Sequence, residues 1–272
     1  MKPIFRAFPV MFALTVSAAA LVTAAGQSPR TLSNDDWCDE GGGGRQERFC
    51  EVREFTVAKP SRLEVTDSPN GSIRVSGTNR SDVLVRARVS ARADSMDEAR
   101  DLARDVEVTI DNGRVRTNGP RTSGRRSWTV SYRIEAPRAI DLELDTANGS
   151  IDVSSIDGRI RAESSNGALR LTDLAGDVSA RTSNGSVVAM LDGRAWRGTG
   201  FEATTSNGSV RLEVPDGYNA RLEAGTSNGS LSIDFPVQVQ GRLSRRLDVT
   251  LGDGGPTVRV QSSNGSVRIG RR

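Results

Sequence analysis

Histidine is absent from all 272 residues, and lysine occurs only at Lys2 and Lys59. The first absence removes Ser-His-Asp and Cys-His catalysis and most zinc chemistry. The second leaves a Ser-Lys dyad one base, Lys59, outside any recognisable motif once the leading residues are gone. Aromatic residues make up 4% of the chain, too few for a core built on large side chains, whereas narrow rungs of Val, Ile, Leu and Ala suit the composition. The run Gly41–Gly44 lacks the lysine-and-hydroxyl ending of a phosphate-cradling loop and precedes no helix. The 28 glycines lack the every-third spacing of collagen, so they read as turn residues.

Long apolar runs are also missing, apart from Val10–Val22. With Lys2 and Arg6 before it and Thr23-Ala24-Ala25 after it, that run has the layout of a secretory signal peptide over residues 1–25. About 13 residues fall short of the roughly 20 a spanning helix needs, and no later stretch qualifies. The expectation is an exported chain with no transmembrane segment after cleavage. Cleavage leaves 35 basic residues against 34 acidic, so the sequence pI of about 9.3 is no argument for nucleic acid. Nearly every basic residue is arginine.

Cysteine is limited to Cys38 and Cys50, in the polar segment 26–53. Two cysteines in an exported chain read as one disulfide. Without histidine they cannot complete a tetrahedral metal site, and no metal or cofactor is expected.

Residues 54–141 read as an N-terminal β region. Phe55/Val57, Leu63/Val65, Ile73/Val75 and Val83/Val85/Ala87/Val89 alternate with polar residues. Ser95 followed by Glu98 makes a capping box, and Met96, Ala99, Leu102 and Ala103 recur at helical spacing, predicting a helix over 96–104. Asp111-Asn112-Gly113 between apolar alternations predicts a hairpin. This region is expected to cover one end of the repeats downstream of it.

From 142 to 272 one short phrase recurs. Asn148-Gly149-Ser150-Ile151-Asp152-Val153, Asn166-Gly167-Ala168-Leu169-Arg170-Leu171 and Asn184-Gly185-Ser186-Val187-Val188-Ala189 stand 18 residues apart, with a second apolar pair midway, as at Ile160/Ala162. The pairs continue at 201/203, 210/212, 220/222 and 231/233, break at Gln240, and resume at 249/251, 258/260 and 267/269. Period 2 within a pair and period 9 between pairs mean short strands joined by tight turns. Independent Asn-Gly hairpins would make an antiparallel meander. The turns alternate in type instead, Ser/Thr-Ser-Asn-Gly on one side and apolar-x-Gly on the other, which favours stacking like on like. The expected fold is all-β: a β-solenoid, or parallel β-helix, of about seven 18-residue coils, a rod of roughly 35 Å at ~4.8 Å per rung.

The phrase Ser/Thr-Ser-Asn-Gly-Ser-apolar-x-apolar at 164–171, 182–189, 205–212, 226–233 and 262–269 resembles the bacterial "putative adhesin" family of unknown function, over the chain from about residue 55. The resemblance implies an exported, envelope-associated β-solenoid without catalytic residues. Calcium-binding nonapeptide β-rolls share the coil length, but their Gly-Gly-x-Gly-x-Asp turn is absent.

Three functions remain. The first is a non-enzymatic binding or structural module of the cell envelope, adhesive in one form, and it is the preferred reading. The second is a polysaccharide-active enzyme using paired carboxylates, with Asp141, Asp145, Asp152 and Asp157 clustered in sequence. The third is an envelope-stress accessory protein. For the first, candidate surface residues lie between the inward pairs: Arg161, Arg221 and Arg259 on one expected face, Arg170, Arg211 and Arg268 on the other. Columns of arginine suit an acidic glycan or an acidic protein partner.

Overall fold

The computed structural model describes residues 29–33, 35–40, 46–236 and 245–272, without the side chains of 67–69. The signal-like segment 1–25, Gly41–Gly44 and the phase break at Gln240 lie outside the described residues.

The Asn-Gly pairs make corners, not hairpins. Strand Asp141–Asn148 turns at Gly149-Ser150 into Ile151–Ser154, and the second corner leads into Asp157–Asn166. Each strand then lies parallel to its equivalent one coil later, residue on residue: Ile151 opposite Leu169, Leu169 opposite Val187, Ile160 opposite Val178. The fold is therefore a β-solenoid. Among the described residues it has two facing sheets, sheet 1 of eleven strands built on the short arms and sheet 2 of ten built on the long arms.

The turn chemistry explains why like stacks on like. Asn148, Asn166, Asn184, Asn207, Asn264 and Asn228 each donate a side-chain N–H to the side-chain oxygen of the Asn one rung away, at 2.9–3.0 Å, and the chain of bonds starts at Asn70. Two residues before each Asn, a buried hydroxyl donates to the carbonyl of the neighbouring coil's Asn-Gly glycine: Ser164 to Gly149, Thr182 to Gly167, Thr205 to Gly185. Alternating turns with these side chains are thus a stacking code, since each satisfies a neighbour's backbone group that would otherwise be buried without a partner. Thr182→Val is expected to destabilise by about 1–3 kcal/mol, read as a shift in denaturation midpoint, because it orphans the Gly167 carbonyl while keeping the side chain's shape.

Inside, four apolar columns follow the register. Leu63, Leu142, Ile160, Val178, Phe201, Val258 and Leu222 form one of them, and Ile73, Ile151, Leu169, Val187, Val210 and Val267 another, all buried. The insertion after Leu191 folds Trp196 back against Phe201, ring centroids 5.3 Å apart, and its indole N–H reaches the Gly176 carbonyl at 3.1 Å.

The order of the coils departs from chain order at both ends. Eight coils stack among the described residues: six from 141–271, one fewer than the spacing suggests, and two more from 62–78 and from 114–137, whose Asn118-Gly119 lacks the Ser-apolar-x-apolar continuation. That coil lies outside 62–78, which precedes it in sequence. At the far end 257–271 lies between 200–214 and 220–233. The Asn chain follows space rather than sequence here, running Asn207, Asn264, Asn228. The stack also takes in part of the region ahead of residue 142.

At the 114–137 end sheet 1 continues as antiparallel strands Asp82–Ala93, Glu47–Ala58 and Arg30–Leu32. Helix Met96–Arg104 packs on the first two, with the Ser95 hydroxyl accepting from the Glu98 amide and Ala99, Leu102 and Ala103 buried. The hairpin forms as the sequence implies, Asn112 and Gly113 both at positive φ between Glu107–Asp111 and Arg114–Asn118.

Cys38 and Cys50 are bonded, their Cα atoms 5.7 Å apart. The bond holds a short turn whose Trp37 packs on the guanidiniums of Arg88 and Arg133, 4.9 and 4.2 Å from the ring centroid. Arg86 pairs with Asp35, and Arg133 with Glu40 at 2.8 Å. This clasp covers the outer side of sheet 1, away from the solenoid core. Replacing both cysteines by serine is expected to lower stability by about 3 kcal/mol in the chain-entropy picture. Proteolysis should then cut near residues 35–40 while the coils stay resistant.

Candidate functional site

The site residues sit on strands whose inward neighbours are locked in the core, so each outward side chain is fixed by the rung spacing. The register decides which of them meet. On sheet 1 the outward line runs Arg133, Arg74, Asp152, Arg170, Val188, Arg211, Arg268, Ser232, one residue per rung. Arg170, Arg211 and Arg268 therefore share one column. Arg74 and Arg133 extend it, and spacing did not reveal them. Arg74 meets Asp152 across 78 residues of chain, and Arg133 belongs to the 114–137 coil, whose Asn118-Gly119 is not followed by Ser-apolar-x-apolar.

On sheet 2 Arg221 stands off the line of the other two arginines. It shares the outer face with Arg161 and Arg259 but not their column: Glu223 stands opposite Arg259, and Arg221 stands opposite Thr257, two positions along the strand. The line through Arg161 runs Arg114, Glu64, Glu143, Arg161, Ser179, Glu202, Arg259, Glu223. It is mixed in charge, not an arginine column. The physical reason is spacing: Arg161, Glu202, Arg259 and Glu223 each stand five residues before a corner Asn, whereas Arg221 stands seven before Asn228.

Each of the six arginines singled out has a carboxylate near it. Arg161 meets Glu163 at 2.9 Å, Arg211 meets Glu213 at 2.9 Å, and Arg221 meets Asp248 at 2.7 Å. Arg259 meets Glu223 at 2.7 Å, Arg268 meets Asp234 at 3.1 Å, and Arg170 meets Asp152 at 3.8 Å. Exposed pairs of this kind are screened by solvent and contribute little, so an incoming anion can compete for them.

The Asp152 pairing differs from the others. Its carboxylate lies between two arginines, accepting from Arg74 at 3.1 Å on one oxygen and facing Arg170 at 3.8 Å on the other. Around it is a depression of about 600 Å³ lined in part by Ser150, Ser154, Thr172, Ser186 and Val188. Larger in volume is a trough of about 870 Å³ on sheet 2 between Thr204, Gln261 and the Arg221–Asp248 pair.

The carboxylates whose protonation moves all move one way. The hydrogen bond from Arg133 holds Glu40 below the usual carboxylate range, Arg114 does the same for Glu64, and Arg221 for Asp248. A glycosidase acid needs the opposite shift, so these three are unsuited to that role. Of the acids clustered in sequence, Asp141 accepts the Arg159 amide and Asp152 takes the arginine pair, on different sheets. No group of three or more acidic or cysteine side chains suited to a metal occurs among the described residues. Among them, too, no helix is long and apolar enough to cross a membrane.

The Toastrack DUF4097 family matches residues 66–270. Similar crystal structures include a "putative cell adhesion protein" from Clostridium sporogenes ATCC 15579, 12% identical over 83% of this chain and 100% of its own, with a TM-score of 0.43. A "putative adhesin" from Bacteroides fragilis NCTC 9343 is 11% identical over 82% of this chain and 97% of its own, TM-score 0.39. A "putative lipid binding protein" from Parabacteroides distasonis ATCC 8503 is 8% identical over 80% and 96%, TM-score 0.31. No curated protein gives a significant match.

Proposed function

The chain belongs to the Toastrack DUF4097 family, and from that premise we propose that it is a non-catalytic module of the bacterial cell envelope that binds other surface components along one face of its solenoid. Adhesion, the role in the names of two of the similar crystal structures, is one form such binding takes. The observation that carries the reading is the outward line of sheet 1, where five arginines occupy seven successive rungs. Rigid rungs hold these guanidiniums at a fixed pitch, so a partner with matching charge meets them without first ordering the protein. The disulfide supports an oxidising compartment, in keeping with the signal-like segment.

The test is co-sedimentation of the mature chain with bacterial envelope fragments. Saturable retention that falls as salt rises, with no release of reducing sugar ends, is the expected result. Retention absent at low salt would end the reading, and sugar release abolished by an Asp→Asn change would replace it with the enzymatic one.

A further inference from the structure

Arg74, Arg170 and Arg211 occupy alternate rungs of sheet 1, with Asp152 and Val188 on the rungs between. Strand spacing puts successive members of this trio ~10 Å apart along the solenoid axis. Arg74 and Arg170 are more than half exposed (56% and 60%), whereas Asp152 between them is 24% exposed. One carboxylate therefore answers two guanidiniums. Of the other acids nearby, Glu40 in the disulfide-held turn is held by Arg133, and Glu213 is held by Arg211 at 2.9 Å. Each guanidinium has five N–H donors in a planar fork, and a single shared carboxylate leaves most of those on Arg74 and Arg170 directed to solvent.

The surroundings are not those of a bare charge patch. Ser150 and Ser186 flank the line on one side and Ser154 and Thr172 on the other, within the same depression, and Val188 offers an apolar step between Arg170 and Arg211. Hydroxyls beside guanidiniums, with an aliphatic surface between them, match a sugar ring that carries a carboxylate: donors for the acid, partners for the hydroxyls, and a methyl-lined surface for the C–H face. The ~10 Å pitch is close to two pyranose rings end to end, and the line runs straight along the axis.

We propose that this face binds an extended acidic polysaccharide lying parallel to the solenoid axis, with the carboxylate of every second sugar on Arg74, Arg170 and Arg211 in turn. The proposal rests on the binding reading above and gives it a ligand class. Asp152 acts within it as a built-in competitor, occupying the two guanidiniums until a polymer carboxylate displaces it. That sets the sign of its mutation. Asp152→Asn keeps the shape and removes the competing charge, so it should tighten binding, where loss of a merely structural acid would not.

The test is titration calorimetry of the mature chain with galacturonate oligomers of increasing length. Galacturonate monomer, a neutral glucan oligomer and inorganic phosphate serve as separate arms. Affinity should rise with oligomer length, with the neutral oligomer and the monomer weak or silent. Arg74→Gln and Arg170→Gln should each weaken oligomer binding about tenfold and lower its salt dependence. Asp152→Asn should strengthen it several-fold. Arg181→Gln, on sheet 2, should leave it unchanged, and circular dichroism and melting confirm folding of each variant. Equal binding of phosphate or monomer would assign the arginines to small anions and overturn the polysaccharide. No gain in Asp152→Asn, or equal loss in Arg181→Gln, would overturn the site. Envelope retention that survives Arg74→Gln/Arg170→Gln would remove this ligand while leaving the broader reading standing.

Discussion

Gly185→Ala is expected to destabilise the protein by at least about 4 kcal/mol, beyond the ordinary range for a point substitution. A Cβ at Gly185 would stand 2.0 Å from the Gly167 carbonyl oxygen, inside any tolerable contact, and the obstacle is backbone that cannot swing aside. The same approach recurs along the column: Gly149 on Gly71, Gly167 on Gly149, Gly208 on Gly185. These glycines are needed because coils approach to strand spacing at a corner, where a side chain would wedge two rungs apart and break the hydroxyl and Asn bonds on either side. Ser183→Ala, two residues away and exposed, should change stability by less than about 0.5 kcal/mol. Equilibrium denaturation of the two variants decides the matter, and a Gly185→Ala loss under about 1 kcal/mol would contradict the packing described.

The second large effect concerns Gly265. A Cβ there would meet the Gly208 carbonyl at 2.0 Å, while Gly229 in turn approaches the Gly265 carbonyl at 2.1 Å. Gly265→Ala should therefore loosen 257–271 and 220–233 together, although 220–233 is made earlier and touches 200–214 in chain order alone. Gly229→Ala should loosen 220–233 by itself. Hydrogen exchange gives the readout, because in a stacked array each coil's stability comes from its immediate neighbours. Protection in 220–233 and 257–271 should fall by roughly two orders of magnitude, the equivalent of about 3 kcal/mol, while 141–190 stays protected. Loss confined to 257–271 would mean that the stack runs in sequence order after all.

The coil architecture was legible because each corner repeats its own partners. A Ser/Thr that must reach a glycine carbonyl, a glycine that must admit it and an Asn that must find another Asn leave the same residues at the same spacing in every turn. Helix 96–104 was equally plain, since its cap and its buried face are both local. The order of coils was not, for the opposite reason: 220–233 and 257–271 carry the same phrase, so either would complete the bonds offered by Asn207 and Gly208. Arg221 stands off its expected column for a local reason, since it precedes Asn228 by seven residues where Arg161 and Arg259 precede Asn166 and Asn264 by five. The Arg74–Asp152 contact was hidden differently. Its two residues stand 78 apart because the excursion through the antiparallel strands and helix separates two coils that lie side by side. The clasp likewise joins Trp37 to Arg88 and Arg133, partners that no local pattern links to it.

The intercalated coil has a bearing on how the molecule is made. Coils from 141 to 214 can settle one after another as the chain emerges, but the berth beside 200–214 belongs to residues that arrive last. Until then 220–233, bearing the same Ser-Asn-Gly-Ser signature, lacks the neighbour it stacks on in the finished fold. That end can therefore take its final order only after the last coil of the chain has been made.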